Sequence, residues 1–135
     1  MNVSVGEEIP ELLRLVTAAD VAAYAEASGD RNPLHLDDAF ARSVGFDGVI
    51  AHGMFTMGSA VTLVTDWVGD AGRVVEYGTR FTKPVVVPYD EGADIEVSGV
   101  VKALDPDTKR VTVELTAKAS GEKVLGRAIA VAVLD

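Results

Sequence analysis

The chain predicts an α+β domain in which a curved antiparallel sheet of about five strands wraps around a long central helix. Three observations lead there. Val49 to Val68 is the longest mostly apolar run, and its spacing is helical. After Gly72 the pattern changes to β-rich runs separated by short turns. Ahead of the apolar run lie one strand-like stretch and two capped helical segments.

The elements follow in chain order. Leu12 to Val16 is a short apolar run suited to a strand. Thr17-Ala18-Ala19-Asp20 resembles a capping box with Asp in place of Glu, opening a helix to about Ser28 that Gly29 ends. Asp37 or Asp38 caps a second short helix, Ala39 to Val44, with Gly45 at its end. Gly53 to Val68 is the principal helix, closed by Gly69; Met54, Met57, Val61, Val64 and Val68 form its expected inward stripe. Strands follow at Val74–Phe81, 95–104, 111–119 and 124–134. Asp105-Pro106-Asp107 and Ser120-Gly121-Glu122 are the turns between the last three, which implies antiparallel neighbours. The last strand is apolar at nearly every position, so cover on both its faces is expected. One sheet edge is expected to pair with a second subunit.

Composition narrows the function. At 135 residues the chain reads as one domain, residues 1–135, with 48% apolar and 24% charged residues, ordinary for a folded soluble protein. It has no cysteine, which excludes a disulfide framework, a thiolate metal site and a thiol nucleophile. Only two histidines are present, so no protein-ligated metal is expected. The net charge of −9 repels phosphate backbones and argues against nucleic-acid binding. Val49 to Val68 is broken by His52, small and hydroxylated residues and Asp66, which makes it a poor membrane span. With no basic-then-apolar N-terminal pattern, a cytoplasmic location is expected. A phosphorylated or carrier-bound substrate would need local cations; the candidates are Arg31, Arg42, Arg73, Arg80, Lys83 and Arg127.

Two segments carry the chemistry. Ser28-Gly29-Asp30-Arg31-Asn32-Pro33-Leu34-His35 sets a carboxylate and an imidazole five residues apart, in backbone that Pro33 keeps from being a regular helix. Ala51-His52-Gly53-Met54 places a glycine where the apolar helix begins and free backbone N–H groups can meet negative charge. Asp30 alone would read as a turn residue, and His35 alone as a structural histidine. Together with Gly53 they supply an acid, a base and an oxyanion-binding amide, the set needed for β-elimination next to a thioester carbonyl. His35 is the expected base, Asp30 the acid, the Gly53 amide the oxyanion donor, and Asn32 the residue that orients a side chain. His52 is read as hydrogen-bonding loop backbone at the helix entrance. Arg31, Leu34, Met54, Phe55, Met57 and Phe81 are candidate substrate contacts; as a structural alternative, the two methionines are core fillers.

At these residues the chain resembles the MaoC-like (R)-specific enoyl thioester hydratases and dehydratases. Ser28 to His35 is similar to their hydratase motif, and Ala51 to Met54 to the glycine loop that opens their central helix. Glu76-Tyr77, Arg80-Phe81-Thr82, Asp105-Pro106 and Gly126 to Ala130 look like the catalytic subunits of the family's mycobacterial (3R)-hydroxyacyl-ACP dehydratases. The resemblance implies the hot-dog fold, Asp30 and His35 as the catalytic pair and the Gly53 amide as oxyanion donor. It implies acyl-ACP or acyl-CoA substrates on a phosphopantetheine arm and no cofactor. It also implies a homodimer, or a heterodimer with a related hot-dog subunit. Some members carry a serine in the central helix; the position aligned with it here is Val61. The implied reaction is reversible hydration and dehydration between (3R)-3-hydroxyacyl and trans-2-enoyl thioesters, as in type II fatty acid elongation. An (R)-specific enoyl-CoA hydratase of fatty acid degradation or polyhydroxyalkanoate supply, a thioesterase, or an acyl-binding accessory subunit are the alternatives.

Overall fold

The computed structural model describes residues 2–135. Strand β1 (Glu8–Val16) leads into helix α1 (Ala18–Ser28), then α2 (Pro33–Leu36) and α3 (Asp38–Ser43). A two-residue strand β2 (Val49–Ile50) precedes helix α4 (Gly53–Val68) and a 3-10 turn at Ala71–Arg73. Strands β3 (Val74–Phe81), β4 (Val86–Val87), β5 (Ala93–Asp105), β6 (Arg110–Ala119), β7 (Glu122–Lys123) and β8 (Leu125–Val133) complete the chain.

The five long strands pair in the order β1-β5-β6-β8-β3, antiparallel throughout. Helix α4 packs against all five, so the sheet must bend around it. This is the expected sheet-around-helix architecture. β1 and β3 are its edges. The small ribbon β2–β4 lies off the main sheet and draws the entrance of α4 toward the Val85 segment, where the Ala51 N–H donates to the Val85 carbonyl at 2.9 Å.

The core lies between sheet and helix. Val16, Val64, Ile95, Val101, Val111 and Val113 are fully enclosed there. Gly99 on β5 makes the close approach possible: a Cβ at that position would sit 3.0 Å from Leu63 Cδ2. Tyr77 on β3 donates its hydroxyl to the Met57 carbonyl at 2.6 Å, and burial pushes its ionisation up to about 12. No described helix is long and apolar enough to cross a membrane.

Four expectations are corrected. β1 starts at Glu8 rather than Leu12; its apolar pattern is interrupted at Pro10 and Glu11, where the register with β5 shifts. Pro33 does not exclude a helix but opens one: it occupies the first turn of α2, where its missing N–H costs nothing. The inward face of α4 is Thr56, Ala60, Leu63 and Val64, while Met54 is 60% exposed and Met57, Val61 and Val68 are half-buried. Small side chains let the helix lie close against the sheet, which outweighs the pull of the larger methionines. β8 is buried on one face and mostly half-buried on the other, rather than covered on both.

Candidate active site

The acid–base segment is held by local hydrogen bonds. Gly29, at φ 79°, ends α1 in the left-handed region and donates to the Ala25 carbonyl at 3.0 Å. The chain then turns through Asp30, whose N–H donates to Ser28 Oγ at 3.2 Å and whose Oδ1 accepts from the Asn32 N–H at 3.3 Å. Asn32 is extended at ψ 133° and caps α2, its Oδ1 accepting from the Leu34 N–H at 3.0 Å. The single turn of α2 then swings His35 inward, with 12% of its side chain exposed.

His35 Nδ1 lies 2.6 Å from the Ile50 carbonyl. A carbonyl only accepts, so Nδ1 carries a proton; in the neutral ring the lone pair is then on Nε2, the form a general base requires. That Nε2 stands 4.0 Å from Asp30 Oδ2, whose side chain is 58% exposed. The separation is too long for a direct hydrogen bond, but one oxygen atom could sit about 2.8 Å from both.

The candidate oxyanion donor is the first amide of a helix. His52 is the N-cap of α4 yet makes no side-chain cap bond, and the first amides of a helix have no acceptor inside it. The Gly53 N–H is therefore free at the positive end of a sixteen-residue helix. Gly53 and His35 line one cavity of about 370 Å³, with Thr56, Phe81, Lys83 and Val85 among its other walls. Phe81 packs so closely over Gly53 that a Cβ there would meet its ring at 3.1 Å.

His35 and Gly53 thus share one cavity, and Asp30, outside its lining, stands 4.0 Å from His35. Asn32 is corrected: its side chain caps α2, and only its backbone touches the Asp30 carboxylate. Arg31 is tied to Glu26 through Nε and Nη2 at 3.1 and 3.0 Å. Met54 and Phe55 line a different cavity with Arg14 and Tyr24, and Leu34 and Met57, both half-buried, are absent from the His35–Gly53 cavity. Phe81 alone of the six candidate contacts lies in its wall. Of the candidate cations only Lys83 does, and it pairs with Glu122 at 2.9 Å. Sequence reasoning missed the Ile50 carbonyl, which sets the His35 tautomer, and Thr56, a buried hydroxyl residue in the cavity wall. Thr56 was detectable as a polar residue three positions after Gly53 on the same helix face.

One donor atom from each of Asp30, His35 and His52 lies within 4.8 Å of the others. The two imidazoles are stacked, centroids 3.7 Å apart and 20° from parallel. Ring lone pairs lie in the ring plane, so the two cannot converge on one ion, and this set does not fit a resident metal.

Comparison with known proteins agrees with this geometry. Residues 4–120 match the family model described as MaoC like domain, and the chain belongs to that family. It is 39% identical over 83 residues to a 3-hydroxyacyl-thioester dehydratase X of Mycobacterium tuberculosis, covering 62% of this chain and 29% of that one. A solved MaoC-like dehydratase superposes with TM-score 0.95 at 42% identity, over 99% of this chain and 41% of its own. The (R)-hydratase from A. caviae involved in PHA biosynthesis superposes with TM-score 0.86 at 30% identity, over 98% of each chain. The matched residues therefore cover less than half the length of the first two and nearly all of the third.

Proposed function

We propose that this chain is a hydro-lyase that reversibly interconverts (3R)-3-hydroxyacyl and trans-2-enoyl thioesters. The observation that carries this reading is His35, whose Nδ1 is bound to the Ile50 carbonyl, whose Nε2 lies 4.0 Å from the Asp30 carboxylate, and which lines one cavity with Gly53. In the dehydration direction His35 Nε2 takes the α-proton, and the Gly53 N–H holds the charge that develops on the thioester oxygen. The Cβ–O bond then breaks as the Asp30 carboxyl protonates the departing hydroxyl, releasing water. Passage of the proton from His35 to Asp30 across their 4.0 Å gap restores both groups. Elimination of water oxidises Cα and reduces Cβ by one formal unit each, so the substrate undergoes no net redox change and the step uses no redox cofactor.

The substrate is carried on the phosphopantetheine of ACP or coenzyme A, in the cytoplasm. The working form is a homodimer or a heterodimer with a related hot-dog subunit. The two open sheet edges and relatives more than twice the length of this chain support that reading. The test is loss of the enoyl-thioester ultraviolet absorbance when the purified chain meets crotonyl-CoA or crotonyl-ACP. Hydration is expected with one carrier or both. Thiol release without hydration would instead identify a thioesterase, and turnover only after a second subunit is added would identify an obligate heterodimer.

A further inference from the structure

We infer that His52 is a positioning residue that sets the spacing of the Asp30–His35 pair; the inference rests on the acid–base reading above. His52 is 3% exposed, and its ring is met by Asp30, His35 and Tyr24. Nε2 lies 2.9 Å from the Asp30 carbonyl, which only accepts, so Nε2 is the donor. The ring stacks on His35 at 3.7 Å. The Tyr24 ring of α1 meets it edge-on at 4.8 Å, and Phe55 in turn supports Tyr24 at 5.5 Å.

This placement supplies what the catalytic pair lacks by itself. The bond from His35 Nδ1 to Ile50 fixes one point in the ring plane, and leaves the imidazole free to tip about that axis. The His52 face blocks the tipping. The Asp30 carboxylate is more than half exposed and accepts one backbone N–H, so its position follows its own main chain. His52 holds that main chain at the carbonyl. One imidazole therefore references both partners of the 4.0 Å gap.

The position also forgoes an ordinary role. A Ser, Thr, Asp or Asn at this N-cap would bond the helix amides. His52 makes no such bond, and its Nδ1 is buried without a protein partner. Its side chain serves the loop rather than the helix.

The experiment compares full-length H52A, H52Q and H52F with the wild type. A displacement on the order of 1 Å costs about 10²-fold in rate, so H52A should lose about 10- to 100-fold in kcat with KM changed by no more than about twofold. H52Q, whose amide N–H can reach the Asp30 carbonyl, should recover part of that loss. Nitrogen-15 NMR of the His35 ring is the second readout: with the stacked His52 face gone and the bond to Ile50 kept, the His35 nitrogen resonances should shift and broaden in H52A. Wild-type kcat together with unchanged His35 nitrogen resonances in H52A would overturn the inference. If H52A does not fold, H52Q and H52F fill a similar volume and decide; both at wild-type kcat would overturn it equally. A wild-type chain inactive on crotonyl thioesters would defeat the proposed reaction, while the NMR comparison would still show whether His52 positions His35.

Discussion

The sheet and the acid–base segment are built by opposite means. Along β5, β6 and β8, Val97, Val101, Val113, Leu115, Ala128 and Ala130 are all 4% exposed or less, and burial of apolar surface holds them. From Ser28 to Leu36 no residue is fully buried. That segment is held by single hydrogen bonds, each at a defined backbone atom: Asn32 onto Leu34, Ser28 onto Asp30, His35 onto Ile50. Burial is strong and nondirectional; hydrogen bonds are weak and aimed. The sheet thus supplies stability, and the segment supplies the angles that the proposed proton transfer needs.

The division is sharpest for substitutions that should separate the two. D30N and H35A should each lower kcat/KM for crotonyl-CoA by about 10²–10⁴-fold, the range for losing a general acid or base. Because the Asp30 side chain is largely exposed, the urea midpoint of D30N should stay near the wild-type value. A D30N chain that unfolds much earlier would mean the segment bears stability after all.

Gly53→Pro is the next largest test, because it deletes one N–H and leaves the helix start intact. Proline suits the first position of a helix, and the preceding His52, at φ −61° and ψ 140°, already has a conformation allowed before proline. The expected loss in kcat is about 10²–10³-fold, as for removal of one oxyanion donor. G53A keeps the N–H while meeting the same Phe81 ring, so it controls for that crowding. Equal losses in the two variants would point to the ring rather than the amide.

Breaking the other region should do the reverse. Ile95 is fully enclosed on β5, and I95A should cost about 2–5 kcal/mol in urea unfolding, the range for truncating a buried aliphatic side chain. Turnover per folded molecule should remain close to wild type, because Ile95 is not part of the cavity wall. A drop in kcat as large as that of D30N would show that the sheet tunes the site directly.

The same contrast explains what could be read ahead of the structure. The four long strands after Gly72 and the Thr17–Asp20 capping box follow from period and local chemistry, and they appear within a few residues of their expected positions. Asp30, His35 and Gly53 could be singled out by the chemistry an acid, a base and a helix-start amide supply together, and the structure sets His35 4.0 Å from Asp30 and in one cavity with Gly53. The ribbon β2–β4 was not, since two residues carry no periodicity. The inward face of α4 was misread because hydropathy ranks Met above Thr and Ala, whereas close packing ranks size first. The Ile50 carbonyl left no trace, because every residue's main chain offers one like it.

The smallest effect tests the seam between the two regions, where Tyr77 of β3 bonds the Met57 carbonyl of α4. Y77F should cost about 1 kcal/mol near neutral pH, the net worth of one hydrogen bond. The larger signature is alkaline. Burial raises the folded-state ionisation of Tyr77 from 10.0 to about 12, so the unfolded chain gives up its proton first. The stability linked to that proton is fully present below pH 10.0 and is lost as pH rises toward about 12. Urea midpoints measured across that window should fall more steeply for the wild type than for Y77F. Parallel slopes would mean the phenol is as hydrated in the fold as out of it, and that the helix sits less tightly on β3 than the 2.6 Å bond implies.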